Sequence, residues 1–264
     1  MSTPLPFDER DSAHIPGHWL LARLGKRILR PGGKELTERM LDAAALPRTD
    51  VVELAPGLGK TAAAILHRKP ASYRGVEADS AAAALSAAAV GSAGTITSGD
   101  AAETGLDSDS ADVVVGEAML TMQTDPHKAA IIAEAFRVLR PGGRYAIHEM
   151  ALEPDELAED TKTEIRKALA RSIKVNARPL TGAEWTKLLT DGGFEVETVE
   201  LAPMALLEPR RVVADEGVAG TARIIRNVLR DRPARERVLA MRSTFRTHRR
   251  SLTAIAVIAR KPAA

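Results

Sequence analysis

Short apolar runs and helical stretches alternate between residues 51 and 149, and this alternation constrains the fold more than any other feature of the chain. Strands are predicted at 51–54, 73–77, 95–98, 111–116 and 144–149, with helices at 60–67, 79–89 and 127–139 between them. Strand–helix–strand units of this length close as right-handed crossovers and give a parallel sheet covered on both faces. The run 111–116 (ADVVVG) is apolar on both sides, as a central strand must be.

Elements outside this region complete the layout. Helices are predicted at 18–29, stopped by Pro31-Gly32-Gly33, and at 35–45, while residues 1–17 show no periodicity. After residue 150 come a polar helix (154–175) with Leu157, Ile165, Leu169 and Ile173 on one side, and a helix from Thr181 with Glu184 as capping-box partner. A half-buried strand (194–201), two arginine-rich helices (211–230 and 233–248, Asp231 capping the second) and a last strand (251–259) follow. The expected fold is α/β: a doubly wound, mostly parallel seven-stranded sheet with helices on both faces and helical lid insertions. It is expected to form one domain, with a helical cap at 1–45, a core at 46–150, a lid helix and sixth strand at 151–200, and the arginine-rich insertion with the last strand at 201–264.

Composition removes several function classes. The absence of cysteine excludes a disulfide scaffold, a thiolate metal site and a cysteine nucleophile. The net charge of +2 hides an asymmetry, because residues 210–250 hold twelve Arg against Asp215, Glu216, Asp231 and Glu236, leaving the rest of the chain at −6. Aromatic residues are only 3%, too few for a base-stacking platform, so no nucleic-acid partner is expected. The N-terminal run MSTPLPFDERDSAH lacks the basic and apolar regions of a secretory signal. The longest uncharged run, 80–99, is Ala, Gly and Ser and too weakly apolar to span a bilayer. A cytoplasmic location with no membrane partner is expected.

The sharpest local motif is the turn between the first strand and its helix, Glu53-Leu54-Ala55-Pro56-Gly57-Leu58-Gly59-Lys60-Thr61-Ala62. Glycines there let backbone approach a ligand beside the free N–H groups of a helix start. A phosphate-cradling P-loop would need glycine at position 54, which is Leu. A dinucleotide site is compatible: Gly57-x-Gly59-x-x-Ala62 fits the spacing, and Glu77 follows where a ribose contact belongs. Glu53, however, would stand beside the pyrophosphate.

The turn also resembles the first motif of class I S-adenosylmethionine-dependent methyltransferases, with Glu53 as its acid, Gly57 and Gly59 as its second and third glycines, and Ala55 in the place of the first. Further similarities follow in order: Gly75-Val76-Glu77, Gly99-Asp100-Ala101, Asp112-Val113-Val114-Val115 with Glu117, the run 136–144 (FRVLRPGGR), and Asp191-Gly192-Gly193-Phe194. The resemblance implies a Rossmann-like fold and S-adenosylmethionine as cofactor. It places Glu53, Ala55, Gly57, Gly59, Glu77, Asp100, Ala101 and Glu117 around it, Glu77 on the ribose hydroxyls and Asp100 on the adenine amino group. A sulfonium ligand with a cationic amino group also suits an acid at Glu53.

Methyl transfer to a hydroxyl needs alignment and a proton acceptor. His148 and Glu149, ending the fifth strand, and Glu117, ending the fourth, are the expected catalytic residues. Trp19 and Trp185 are the expected acceptor contacts, and the acceptor a small hydroxylated molecule such as a sugar or another alcohol. His14 and His18 could be imagined on a metal, but none is expected. In the second arginine-rich helix Val238, Met241 and Phe245 should face inward, with Arg235, Arg237, Arg246 and Arg249 on the solvent side. This surface is read as solvated, or as a contact for an anionic acceptor or a subunit; a homodimer through the N-terminal or arginine-rich helices is one expected arrangement. The alternatives are an NAD(P)-binding oxidoreductase and a non-catalytic cofactor-binding protein whose arginine face takes nucleic acid or a protein.

Overall fold

The structure, a computed structural model, describes residues 5–7 and 9–263; residues 1–4, 8 and 264 of the aperiodic N-terminus and the C-terminus lie outside it. Strands β1 (Asp50–Leu54), β2 (Ser72–Glu77), β3 (Thr95–Ser98), β4 (Ala111–Glu117) and β5 (Leu139–Leu152) are parallel, and β8 (Leu252–Arg260) runs antiparallel between β5 and β7 (Glu195–Pro203). The sheet order is β3-β2-β1-β4-β5-β8-β7, the expected seven strands; an eighth, β6 (Leu180–Thr181), adds two residues beside β5.

Helices cover both faces because strand side chains alternate. Val51, Val113 and Val115 pack with Leu36, Met40, Ala62 and Ile65 of α2 (Gly33–Ala43) and α3 (Lys60–His67). Val52 and Val114 point the other way, onto Ile131, Ala135 and Leu189 of α5 (Asp125–Val138) and α7 (Gly182–Asp191). A third cluster joins α1 (Gly17–Arg23), α6 (Glu159–Ile173) and α9 (Arg232–Thr247) over the carboxyl end of β5, through Leu20, Leu169 and Met241. Local capping follows the sequence. Asp79 accepts from Ala81 and Ala82 at the start of α4 (Ser80–Val90), Thr181 and Glu184 close a capping box, and Asp231 caps α9.

Three expected boundaries shift by five residues or more. The first helix ends at Arg23, six residues early, because Gly25 takes φ +105° and residues 26–30 form no regular structure. The lid helix starts at Glu159 instead of 154. The fifth strand begins at Leu139, taking in Pro141-Gly142-Gly143, with an irregular register opposite Ala111 and Val113. The first arginine-rich helix is α8 (Pro209–Arg230), broken by non-helical backbone at Gly217.

Candidate active site

Strand order reverses at β1, whose chain neighbours β2 and β3 lie to one side while β4 and β5 lie to the other. Open parallel sheets bind ligands outside the carboxyl ends of the strands at such a point. A cavity of about 350 Å³ lies there. Its floor is Glu53, Ala55, Gly57, Glu77 and Glu117; its roof comes from α1, α6, α9 and the segments around Arg27–Pro31 and Met204–Leu206.

The turn after β1 is held in left-handed backbone, with Ala55 at φ +55°, Gly57 at +56° and Gly59 at +68°. A Cβ on Gly59 would stand 2.5 Å from Ala89 Cβ, so this glycine permits α3 and α4 to approach. The Gly57 N–H donates to Glu77 Oε2 at 2.9 Å and the Asp79 N–H to Oε1 at 3.1 Å, tying the glycine turn to the end of β2.

Glu53 is buried and accepts from the Tyr73 hydroxyl at 2.6 Å. Burial pushes its carboxyl up to about 8, Tyr73 opposes this, and the charge of Glu117 adds to it. Glu117 has the reverse balance. Burial would raise it, but Arg30, with Nε at 3.2 Å, and the hydrogen bond to His148 prevail and bring it down to about 2. The hydroxyls of Thr37 and Thr61 also donate to Glu117. The floor therefore presents an ionised carboxylate paired with Arg30 beside a carboxyl that burial holds protonated and that Arg30 reaches only at longer range.

The expected catalytic pair is separated by the pleat. His148 is fully buried on the α2 side and absent from the cavity wall. Its Nε2 accepts from the Gly32 N–H at 3.2 Å, which places the ring proton on Nδ1, 2.8 Å from Glu117 Oε1. With both nitrogens engaged, it positions Glu117 and is not the proton acceptor expected of it. Glu149 points to the opposite face and accepts from the backbone N–H groups of Met119, Leu120 and Thr121 and the Thr121 hydroxyl. It fixes the loop after β4 and does not orient His148.

Other expectations divide. Trp19 lines the cavity, but Trp185 is buried in the core with Nε1 donating to the Met150 carbonyl, so it is no acceptor contact. Asp100 and Ala101 lie outside the cavity wall; Asp100 Oδ1 accepts from the Ala102 N–H at 2.7 Å and caps its own turn. Arg237, expected in solvent, is buried one turn before Met241, and its Nη1 donates to the carbonyls of Ser12 and Ile15. Among the described residues no group of three or more His, Asp or Glu is gathered for a metal, and no helix is long and apolar enough to cross a membrane.

Sequence reasoning missed Thr37, Thr61, Arg30 and Tyr73, which set the charge of the floor. It also missed His18 as a wall residue and the apolar roof, where Ile173, Met204, Leu206, Met241 and Phe245 meet Trp19 and Met150. Burial lowers the His18 imidazole to about 4, leaving it neutral at physiological pH.

Residues 52–147 match a family described as a methyltransferase domain. An uncharacterized protein of Haemophilus influenzae is 34% identical over 251 residues, spanning 93% of this chain and 98% of the relative. The chain belongs to the class I S-adenosylmethionine-dependent methyltransferases. The fold of this methyltransferase is shared with phosphoethanolamine N-methyltransferase 2 of Haemonchus contortus, solved with phosphomonomethylethanolamine and S-adenosylhomocysteine (TM-score 0.68, 16% identity, 93% of this chain, 57% of that one). It is also similar to the [4+2]-cyclase SpnF (TM-score 0.68, 14% identity, 95% and 98% covered) and to a geranyl diphosphate methyltransferase solved with GPP and sinefungin (0.61, 14%, 85% and 76%).

The cofactor of the methyltransferase is S-adenosylmethionine, and the floor suits it. Glu53, Glu77, Asp79, Glu117 and Glu149 all line the cavity, and Glu53 makes no ion pair among the described residues, feeling Arg30 only at longer range. A ligand carrying an ammonium group and no phosphate would favour the ionised form of Glu53.

Proposed function

We propose that this methyltransferase acts on a small acceptor whose body is largely apolar and whose nucleophile is a hydroxyl. The observation that carries this reading is the wall opposite the carboxylates, where Trp19, Leu21, Met150, Ile173, Leu206 and Phe245 enclose the cavity with few polar groups. Such a surface holds an alcohol through its hydrocarbon part and offers a free sugar little to bond. Methionines adapt to irregular apolar shapes, which favours a lipid-like alcohol over a rigid polar one.

Glu53 and Glu117 are assigned to the amino group of the cofactor, Glu77 to its ribose hydroxyls, and the Ala55–Gly59 backbone to close contact along its length. Bound S-adenosylmethionine supplies an activated methyl group. The chain's own residues then align the acceptor, exclude water and accept a proton. His18 is the wall residue suited to the last of these tasks. Its ring lines the cavity and no protein group is within hydrogen-bond distance of it among the described residues, although burial makes it a weak base.

The test is a release assay for S-adenosylhomocysteine across alcohols, amines and carboxylic acids of graded apolar length. Turnover is expected with hydroxyl acceptors and should rise with chain length until the cavity is filled. A preference for free sugars, or for amines of any length, overturns the reading.

A further inference from the structure

We infer that the outer face of α8 docks on an anionic lipid surface. Beyond the break at Gly217, Val218, Ala222, Ile225 and Leu229 follow at spacings of four, three and four, so they form one stripe along the helix. The stripe faces solvent, with Val218 79%, Ile225 54% and Leu229 63% exposed. Four aliphatic positions in register are not the scattered exposure normal for a surface; a contiguous apolar strip marks a contact site.

The flank of the stripe indicates the partner. Arg226 and Arg230 lie along one side of it, exposed and without a side-chain partner among the described residues. The opposite side of the helix is fixed to the protein: Gly220 is buried, and Asn227 Nδ2 donates to the Leu24 carbonyl at 3.1 Å. An apolar stripe bordered by arginines on an otherwise seated helix is the pattern of an interfacial helix, with aliphatic groups below the headgroups and guanidiniums among the phosphates. The composition recurs on α9, where Leu239, 56% exposed, stands with Arg242, Arg246 and Arg249 around a shallow groove.

Charge decides between a bilayer and the other occupants of such a stripe. Residues 210–250 carry twelve Arg against four acids, and two of those acids, Asp215 and Glu216, have side chains 1% and 3% exposed beside Lys26. A second copy seated on the stripe by a two-fold axis would bring the same cationic band against this one, which is unfavourable. Nucleic acid would satisfy the arginines but leave the aliphatic stripe without a partner. An anionic bilayer matches both.

The position is also consistent with the cavity. The seated side of α8 rests on the end of α1, and α9 supplies Met241 and Phe245 to the roof. The docking face thus lies on a helix that supplies no wall residue itself but is seated against α1, one of the elements that close the acceptor site. The weak hydropathy of the chain argues against a bilayer-spanning segment; it does not argue against a helix lying on the surface.

The test is flotation of the full chain with phosphatidylcholine vesicles, pure or containing about a third phosphatidylglycerol. Binding to the anionic vesicles and not to the neutral ones is expected, falling as salt is raised. Two double variants probe the two halves of the surface: Ile225→Asp with Leu229→Asp, and Arg226→Glu with Arg230→Glu. Each is expected to lower partitioning by about tenfold or more. Circular dichroism and the melting shift caused by S-adenosylhomocysteine should match the wild type, which separates lost docking from lost folding. No binding to anionic vesicles, or binding that survives both variants, overturns the inference. So does a dimer seen by light scattering that the aspartate variant converts to monomer while vesicles are ignored.

Discussion

Glu117 and His148 are register partners on β4 and β5, with His148 Nδ1 2.8 Å from Glu117 Oε1. The imidazole lies behind the carboxylate as seen from the cavity, so its replacement acts on the carboxylate and on stability. His148→Ala leaves the Gly32 N–H without its acceptor and removes a hydrogen bond to a charged group. A loss of about 2–3 kcal/mol in unfolding free energy is expected by denaturant titration. The turnover that remains should keep the wild-type pH profile. A variant with native stability and abolished turnover would restore His148 as a proton acceptor.

Glu53 predicts a pH dependence. Its carboxyl is raised from 4.5 to about 8 in the ligand-free protein, so the folded state holds a proton that the unfolded state has released. This contribution to stability is present at low pH and declines as pH rises through that window. A cationic ligand favours the ionised form, so binding releases the proton. Affinity for S-adenosylhomocysteine should rise with pH by up to about tenfold per unit below pH 8, then level off. Calorimetry in buffers of different ionisation enthalpy should register the released proton, and Glu53→Gln should abolish both effects.

Ala55 and Gly59 predict opposite responses within one turn. Ala55 sits at φ +55°, where a Cβ is strained, so Ala55→Gly should leave stability unchanged or raise it by about 1 kcal/mol in thermal unfolding. Gly59→Ala meets both the left-handed backbone and Ala89, and should cost about 2–4 kcal/mol.

Arg237 is a buried tether between α9 and the N-terminal segment. Arg237→Ala removes the donors to Ser12 and Ile15 and should destabilise the protein by about 2 kcal/mol. Limited proteolysis should then cut near residues 9–16 sooner than in the wild type. Equal cleavage rates would show that the segment is held by other contacts.

What could be read in the sequence was what depends on neighbours a few positions away. Asp79, Thr181 and Asp231 announce helix starts because a cap acts within three residues, and Glu53, Glu77 and Glu117 end their strands where the parallel layout requires. What could not be read depends on which face a strand end presents. His148 and Glu149 are adjacent in sequence but point to opposite layers, and nothing local distinguishes the side that holds α2 from the side that holds the loop after β4. Trp185 failed for a related reason: its helix turns it toward β5. Arg237 was legible in part, since it precedes Met241 by four residues and shares its face, but charge alone suggested solvent. Arg30 and Thr37 carry no local signal at all.

The roof of the cavity joins chain segments that are remote in sequence. Glu216 Oε1 accepts the backbone N–H groups of Arg27 and Ile28, 189 and 188 positions away, and Lys26 lies against the same acid. The floor, by contrast, is made of consecutive strand–helix units. The acceptor chamber can therefore exist only after synthesis has passed residue 216 and the two distant stretches have met. A chain cut before residue 216 would carry the complete cofactor floor but lack the contacts that hold the 26–28 segment of its roof.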